Sequence, residues 1–431
     1  MTHSPTLAEI AARLQGYDPE ALDVATARRF LHEFVPAPGL EGSEVLPLGQ
    51  ALGRVLAQDL VSPINVPAHD NSAMDGYAFA GSALAPGRGL RLRIAGRAHA
   101  GAAWDQTLQP GECLRIMTGA VMPAGADTVV PQELVTLEDG GHIAIAADLL
   151  APGANRRRCG EDLQQGTVAL AAGERLTPAA LGLLASLGLA EVQVLRRLRV
   201  AYFSTGDEIL SPGAPPRAAA VYDSNRYTLC ALLRRLDVEV IEGDPVGDDP
   251  ARLEAALVRA ACQADAVITS GGVSTGDADH LRPLLQRLGE VAFWRIAMRP
   301  GRPLAVGRLH AGARPALLFG LPGNPVAAMV AFIALVRPAL LQMMGCRAQP
   351  QPLLQAVSSE TLRKRPGRTE YQRGIVSLGA DGRLQVRTTG NQGSGVLSSM
   401  LQANGLIVLH HDQGTVQAGA PVEVLMFDGA L

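Results

Sequence analysis

The chain has 431 residues, of which 47% are hydrophobic and 18% charged; that length is more than one core usually serves, so roughly two to four domains are expected and extended disorder is excluded. The formal net charge of −3 and the lack of a basic stripe give no general attraction to nucleic acid or an anionic membrane, so neither is expected as a partner and any anion must be bound locally. Five widely spaced cysteines without a CxxC pair suggest neither a disulfide framework nor a zinc site and fit a reducing compartment.

The elements follow in chain order. The first residues, MTHSPTLAEIAARLQGYDPE, carry Glu9 and Asp18 and have no apolar core segment, so they do not resemble a secretory signal and a cytoplasmic location is expected. Helical patterns at 24–35 and 178–187 flank a run of short strands broken by glycine and proline, AMDGYAF, LRLRIAG, ECLRIMTG and ADTVVP. This predicts a β-rich lobe at 62–163 inserted into an elongated helical linking domain formed by 1–61 with 164–197. From 198 to 350 strands alternate with amphipathic helices. RVAYFS precedes a helix whose Leu229, Leu232, Leu233 and Leu236 share a face, Asp249 and Pro250 open the next helix, and ADAVITS and PALLFG follow. Such alternation predicts a doubly wound, mostly parallel α/β sheet with ligands beyond its carboxyl edge. Val326 to Val336, between Pro325 and Arg337, is short of the roughly 20 residues that span a membrane, so a soluble protein is expected. LQAVSS, RGIVSL, LQVRTT, GLIVLH and VEVLMF in 351–431 predict a small β-barrel or sandwich. The expected fold class is multidomain α/β plus β.

Several motifs sit where strands end. TSGGVSTGDADH (269–280) joins glycine-rich backbone at Ser270, Gly271, Gly272 and Ser274 to Asp277 and Asp279, a pattern suited to phosphate with Mg²⁺; its local alternative is a strand–helix turn capped by Asp279. STGDE (204–208) offers Asp207 and Glu208 as metal ligands or as acid and base, or is simply a turn before the helix at VYDSN. In GDD (247–249) Asp249 is accounted for as a cap, leaving Asp248 as ligand or loop acid. MRPGRP sets Arg299 and Arg302 about a Pro-Gly turn, where two guanidinium groups can converge on an oxyanion or remain surface charges. GLPGNPV places Pro322, Asn324 and Pro325 at a helix N-terminus, a natural anion seat or only a capped helix. Asp75-Gly76 and Thr118-Gly119 each admit a hairpin-turn explanation. Asn155-Arg156-Arg157-Arg158 with Glu161 and Asp162 is either a solvated ion-paired surface or part of an anion's route. Arg373 in TEYQRG and Ser394 in TGNQGSG pair a cation with a hydroxyl donor.

In this order and separation, NSAMDGYA, RIMTGA, STGDE, YDSN, SGGVSTGDAD and GLPGNP resemble the molybdopterin molybdenumtransferase family, the family of MoeA and the gephyrin E domain, from about Leu46 to Phe427. The resemblance implies a four-domain homodimer with shared active sites, a third domain of molybdopterin-binding type and a C-terminal β-barrel. It implies an enzyme that inserts molybdate into adenylylated molybdopterin with Mg²⁺-assisted release of AMP. Residues matching the family's functional acids and their partners are Asp75, Thr118, Asp162, Glu208, Asp248 and Asp279, with Glu208, Asp248 and Asp279 as candidates for Mg²⁺ and pyrophosphate chemistry. Arg299, Arg302, Arg373 and Ser394 match molybdate-contacting positions. Further partners implied are a molybdopterin adenylyltransferase and recipient molybdoenzymes. Arg295, Arg299 and Arg302 stand where family members often carry lysine, so the sign of the charge is kept while a planar fork replaces a compact ammonium. Two rivals remain: a molybdopterin adenylyltransferase, which would carry a TGGTG-type loop in place of SGGVSTGDAD, and a non-catalytic scaffold, which the retained carboxylates oppose.

Overall fold

The computed structural model describes residues 5–35, 42–99, 101–272, 281–347 and 351–428. Its lobe is a six-stranded sheet in the order Thr128–Pro131, Gly76–Phe79, Glu112–Ile116, Leu90–Ala98, His142–Ile145 and Val135–Glu138. Apolar side chains on its two faces, Phe79, Leu92 and Ile143 on one and Leu114, Ile116 and Val129 on the other, make two small cores. Asp75-Gly76 is not a hairpin turn, because the strand that Gly76 opens pairs with 112–116 and 128–131 rather than with the preceding Asn71–Ser72. A Cβ on Gly76 would lie 2.0 Å from the Val130 carbonyl oxygen, so glycine is required there by strand approach.

The linking unit is less helical than its sequence pattern implies. Two short antiparallel ribbons, Ser43–Pro47 with Glu191–Leu195 and Leu60–Val61 with Val168–Leu170, join the α-helix Pro178–Ser186 and a 3-10 turn at Leu48–Gln50 around Leu56, Leu176, Leu184 and Val194. The helices Leu7–Arg13 and Val24–Phe34 instead pack on the α/β core, where Phe30 meets Trp294 edge-on at 4.9 Å between ring centroids. Main-chain bonds from Leu22 to Arg295 and from Ala297 to Leu22 fix that attachment.

In the α/β region the strands are β1 (Arg199–Ser204), β2 (Glu239–Glu242), β3 (Ala266–Ser270), β4 (Gly289–Arg295), β5 (Pro303–Leu309) and β6 (Ala316–Leu321). Their order is β2-β1-β3-β6-β5-β4, parallel through β6 and closed at one edge by the antiparallel pair β5 and β4. Because β5 runs against β6, the Arg299–Arg302 turn that precedes β5 lies at the carboxyl edge of the parallel strands. Asp249 caps the helix Pro250–Gln263 by accepting from the Arg252 amide at 2.8 Å, and Asp223 caps Ser224–Arg235 by accepting from the Arg226 amide at 3.0 Å.

The helix after β6 is longer than the Val326–Val336 run. It continues for 19 residues, Pro325–Met343, through a π-helical turn at Phe332–Val336. It is long and apolar enough to cross a membrane by length and composition, yet most of it is buried in the domain core. Pro338 has no amide to give to the carbonyl of Ala334, four residues back. Arg28 supplies the missing donor, its Nε reaching Ala334 O at 2.9 Å.

The C-terminal strands β7 (Leu354–Ser358), β8 (Thr369–Leu378), β9 (Leu384–Thr388), β10 (Gly405–Leu409) and β11 (Pro421–Met426) pair in the cycle β8-β9-β7-β11-β10-β8. This is a closed barrel, which decides between barrel and sandwich. Met298–Arg299 adds a short parallel strand to β8, so the arginine turn is tied to the barrel.

Candidate active site

Three loops meet beyond β1, β3 and β6. The Thr205 amide donates to Ser270 O and the Gly271 amide to Leu321 O, while the Gly206 amide reaches Val246 O beyond β2. Gly271 has φ +95°, and a Cβ there would lie 2.4 Å from Thr205 O, so only glycine permits this approach. Beneath the loops, Tyr202 Oη sits 2.6 Å from Ser270 Oγ and 2.8 Å from Ser204 Oγ. Ser270 is therefore turned inward, 2% exposed, with its hydroxyl engaged by tyrosine. Burial, partly offset by those two hydroxyl contacts, pushes the Tyr202 phenol well above its ordinary range. Tyr202 was not a sequence candidate; its only signal was a phenol beside Val200, Ala201 and Phe203 in the buried part of its strand. Asn225 Nδ2 donates to Gly323 O at 2.7 Å, drawing the GLPGNP turn to the same edge.

Glu208 and Asp248 are exposed on neighbouring loops. The Asp248 amide donates to Asp207 Oδ1 at 3.2 Å, and a Cβ on Gly206 would lie 2.4 Å from the Glu208 carboxylate, so this glycine leaves room for that acid. Hard oxygen donors of this kind suit Mg²⁺, which is commonly held by one or two carboxylates together with substrate phosphates. No group of three histidines, cysteines or acids gathers among the described residues. Gly272 has φ +67°; Ser274, Asp277 and Asp279 lie outside the described residues.

Asp75 and Thr118 form a separate unit in the lobe. Asp75 Oδ1 accepts from both the Thr118 amide and its Oγ1, each at 2.7 Å, and these two bonds, the amide first, hold its carboxyl below the usual aspartate range. Asp162 is exposed, with its amide on Val66 O. The neighbouring arginines are partly structural: Arg156–Arg157 pairs with Asn71–Ser72, and Arg156 meets Asp70 at 3.5 Å.

The cationic residues converge between the arginine turn and the barrel. Arg373, on β8, is 1% exposed; its Nε donates to Ser399 Oγ and its Nη2 to Gly393 O, both at 3.1 Å. Burial first, and Arg299 second, push its guanidinium down to about 10. Arg299, Arg373 and Gln392 line a cavity of about 270 Å³. The Pro300-Gly301 turn rests on the helix after β6, where a Cβ on Gly301 would meet Ala327 O at 3.2 Å. Ser394 is half-buried and its carbonyl accepts from the Val326 amide at 3.1 Å. That bond occupies a first-turn amide otherwise open to an anion, and Pro325 has none. Asn324 is the helix cap by position but makes no side-chain capping bond; Pro322 follows β6.

Three family models match: the MoeA N-terminal region (domain I and II) over 22–188, the probable molybdopterin binding domain over 201–342 and the MoeA C-terminal region (domain IV) over 355–427. A molybdopterin molybdenumtransferase of Haemophilus influenzae is 42% identical over 411 residues, covering 95% of this chain and 100% of its own length. The chain belongs to the molybdopterin molybdenumtransferase family. A second relative, molybdopterin molybdenumtransferase 2 of Mycobacterium tuberculosis, is 41% identical over 88% of this chain and 94% of its own. The crystal structure of a molybdopterin biosynthesis MoeA protein from Pyrococcus horikoshii superposes with a TM-score of 0.71 at 30% identity, covering 95% of this chain and 99% of that one. The chain is accordingly an enzyme of this type, acting in molybdenum cofactor biosynthesis.

Proposed function

We propose that the enzyme joins molybdate to the two dithiolene sulfurs of adenylylated molybdopterin, one molybdate oxygen leaving as water with the two thiol protons, and that a water cleaves the pyrophosphate link to release AMP. The observation that carries this is Arg373, a buried guanidinium bonded to carbonyls and a hydroxyl, beside Arg299 in one small cavity. Such a pair presents positive charge to a small oxyanion, while the two carboxylates on the same cavity, Glu360 and Glu370, are engaged by the Thr388 amide and by Arg368. Arg302, which lines the adjoining larger cavity with Arg299, and Ser394 would add a second cation and a hydroxyl donor. The substrate's phosphates belong at the glycine loops, where Gly271 and Gly272 allow close backbone approach.

Glu208, Asp248 and Asp279 would hold Mg²⁺, which when bound would offset the charge of the pyrophosphate. Asp75, kept ionised by Thr118, would orient groups or accept a proton at its free oxygen. Asp75 and Thr118 sit in the lobe and Glu208 and Asp248 on the α/β edge, which motivates the proposal of a homodimer whose active sites are each built from two subunits. The adenylyltransferase that makes the substrate and the apo-molybdoenzymes that take the product are its expected partners, in the cytoplasm. Incubation with adenylylated molybdopterin and Mg²⁺, with and without molybdate, tests this. AMP release should require molybdate, and equal release without it would reject insertion as the driving reaction.

A further inference from the structure

The small cavity shares Arg299, Thr361, Arg363 and Glu370 with a neighbouring one of about 940 Å³, lined on one side by the 295–302 segment and on the other by the loop 363–368. Two of its cations are neutralised: Arg295 meets Glu20 at 2.9 Å, and Arg368 meets the buried Glu370 at 2.8 Å. Arg299, Arg302, Arg363 and Arg365 are exposed, and none of their guanidinium groups has a hydrogen-bond or ion-pair partner among the described residues. Behind them Lys364 is 6% exposed, its ammonium anchored on Gln413 O at 2.6 Å and His411 O at 3.1 Å. It adds fixed positive charge without facing solvent. The basic loop is also held in place, with the Gly367 amide on His411 O and the Thr369 amide on Ala297 O.

Fold stability does not explain this arrangement. Four uncompensated guanidinium groups around one opening repel each other, and each would be better paired or dispersed. The chain as a whole is net negative, so a small dianion gains nothing from its general field and needs a local one. We infer that the larger cavity is an oxyanion vestibule, in which Arg363 and Arg365 draw a free tetrahedral dianion such as molybdate from solvent towards Arg299 and Arg373. This rests on the proposed oxyanion seat at Arg373 and assigns the basic loop a separate role in capture.

The test uses the full chain with Arg363→Gln and Arg365→Gln together, which keeps side-chain reach and removes charge, beside Arg363→Lys with Arg365→Lys, which keeps charge. Binding of molybdate alone is measured by calorimetry at low and high ionic strength, and the molybdate and pterin-nucleotide dependences of AMP release are measured in parallel. The glutamine pair should weaken molybdate binding about tenfold at low salt, with the deficit shrinking at high salt and kcat at saturating molybdate moving less than about twofold; the lysine pair should restore binding. Unchanged molybdate binding with a raised KM for the pterin nucleotide would overturn the proposal in favour of a phosphate seat, and no change in either would reduce these residues to ordinary surface charges. Arg373→Met separates the two levels: if it weakens molybdate binding and the glutamine pair does not, only the vestibule fails; if Arg373→Met leaves binding intact, the oxyanion seat itself fails.

Discussion

Replacing Arg373 by methionine retains most of the stem and removes the guanidinium, and the consequences for folding and for binding can be worked separately. Ser399 Oγ loses a donor but still donates to Val396 O at 2.6 Å, and Gly393 O keeps the Val396 amide at 3.3 Å, so no acceptor among them is stripped of every partner. Loss of the side-chain bonds that Arg373 gives costs about 1–3 kcal/mol. Against this, the variant no longer desolvates an arginine without a carboxylate partner, a burden evident in its depression to about 10. The two effects oppose, and stability should change by no more than about 2 kcal/mol. Loss of a charged hydrogen bond to bound oxyanion has no such offset: about 1.5–3 kcal/mol corresponds to about 10- to 150-fold more molybdate for half-maximal turnover. The assay is AMP release titrated with molybdate, with thermal unfolding as the control for folding. A folded variant with an unchanged molybdate requirement would refute the reasoning.

Thr118→Val removes the hydroxyl donor to Asp75 and leaves the amide donor, so the Asp75 titration should move part of the way up towards an ordinary aspartate. In the parent, the depressed carboxyl contributes stability above the usual carboxylate range, and that contribution is lost as pH falls through its folded value. Carboxyl NMR titration reads the shift directly, and an unmoved midpoint means the hydroxyl does not matter. Gly271→Ala forces a Cβ towards Thr205 O at φ +95° and should cost about 2–4 kcal/mol while displacing the glycine loop; denaturant unfolding and AMP release should fall together, and parental values in both would show the approach is not tight. Asp75→Asn and Glu208→Gln proteins, each inactive alone, should regain activity when their subunits are exchanged, because one site of the heterodimer is then built from two unmodified halves. Verified heterodimers that stay inactive, while wild-type protein survives the same exchange, would mean each site lies within one chain.

The α/β region was legible because its signals are local: β-branched runs, the Asp249-Pro250 start and the Leu229, Leu232, Leu233 and Leu236 face each specify an element without reference to anything distant. The partner of an apolar face is not specified in this way. The 24–35 pattern correctly marks a helix, but nothing in its periodicity says that Phe30 will meet Trp294 rather than the lobe. The same limit applies to the helix after β6, whose continuation past Pro338 depends on Arg28, a residue more than 300 positions away. In the site, residue types and glycine loops were readable as motifs. The Asp75–Thr118 bond and the Tyr202 hydroxyl bridge were not, because each joins segments whose proximity exists only once the sheets form.

Metal transfer is the central claim, and it is tested most directly by stoichiometry. The pterin product of a single turnover would be isolated, its molybdenum measured by elemental analysis, and the AMP released in the same reaction counted. One pterin-bound molybdenum per AMP is expected, with both yields rising together as molybdate is added; AMP formed in full while the pterin carries no molybdenum would contradict the account and leave a pyrophosphate hydrolysis in its place.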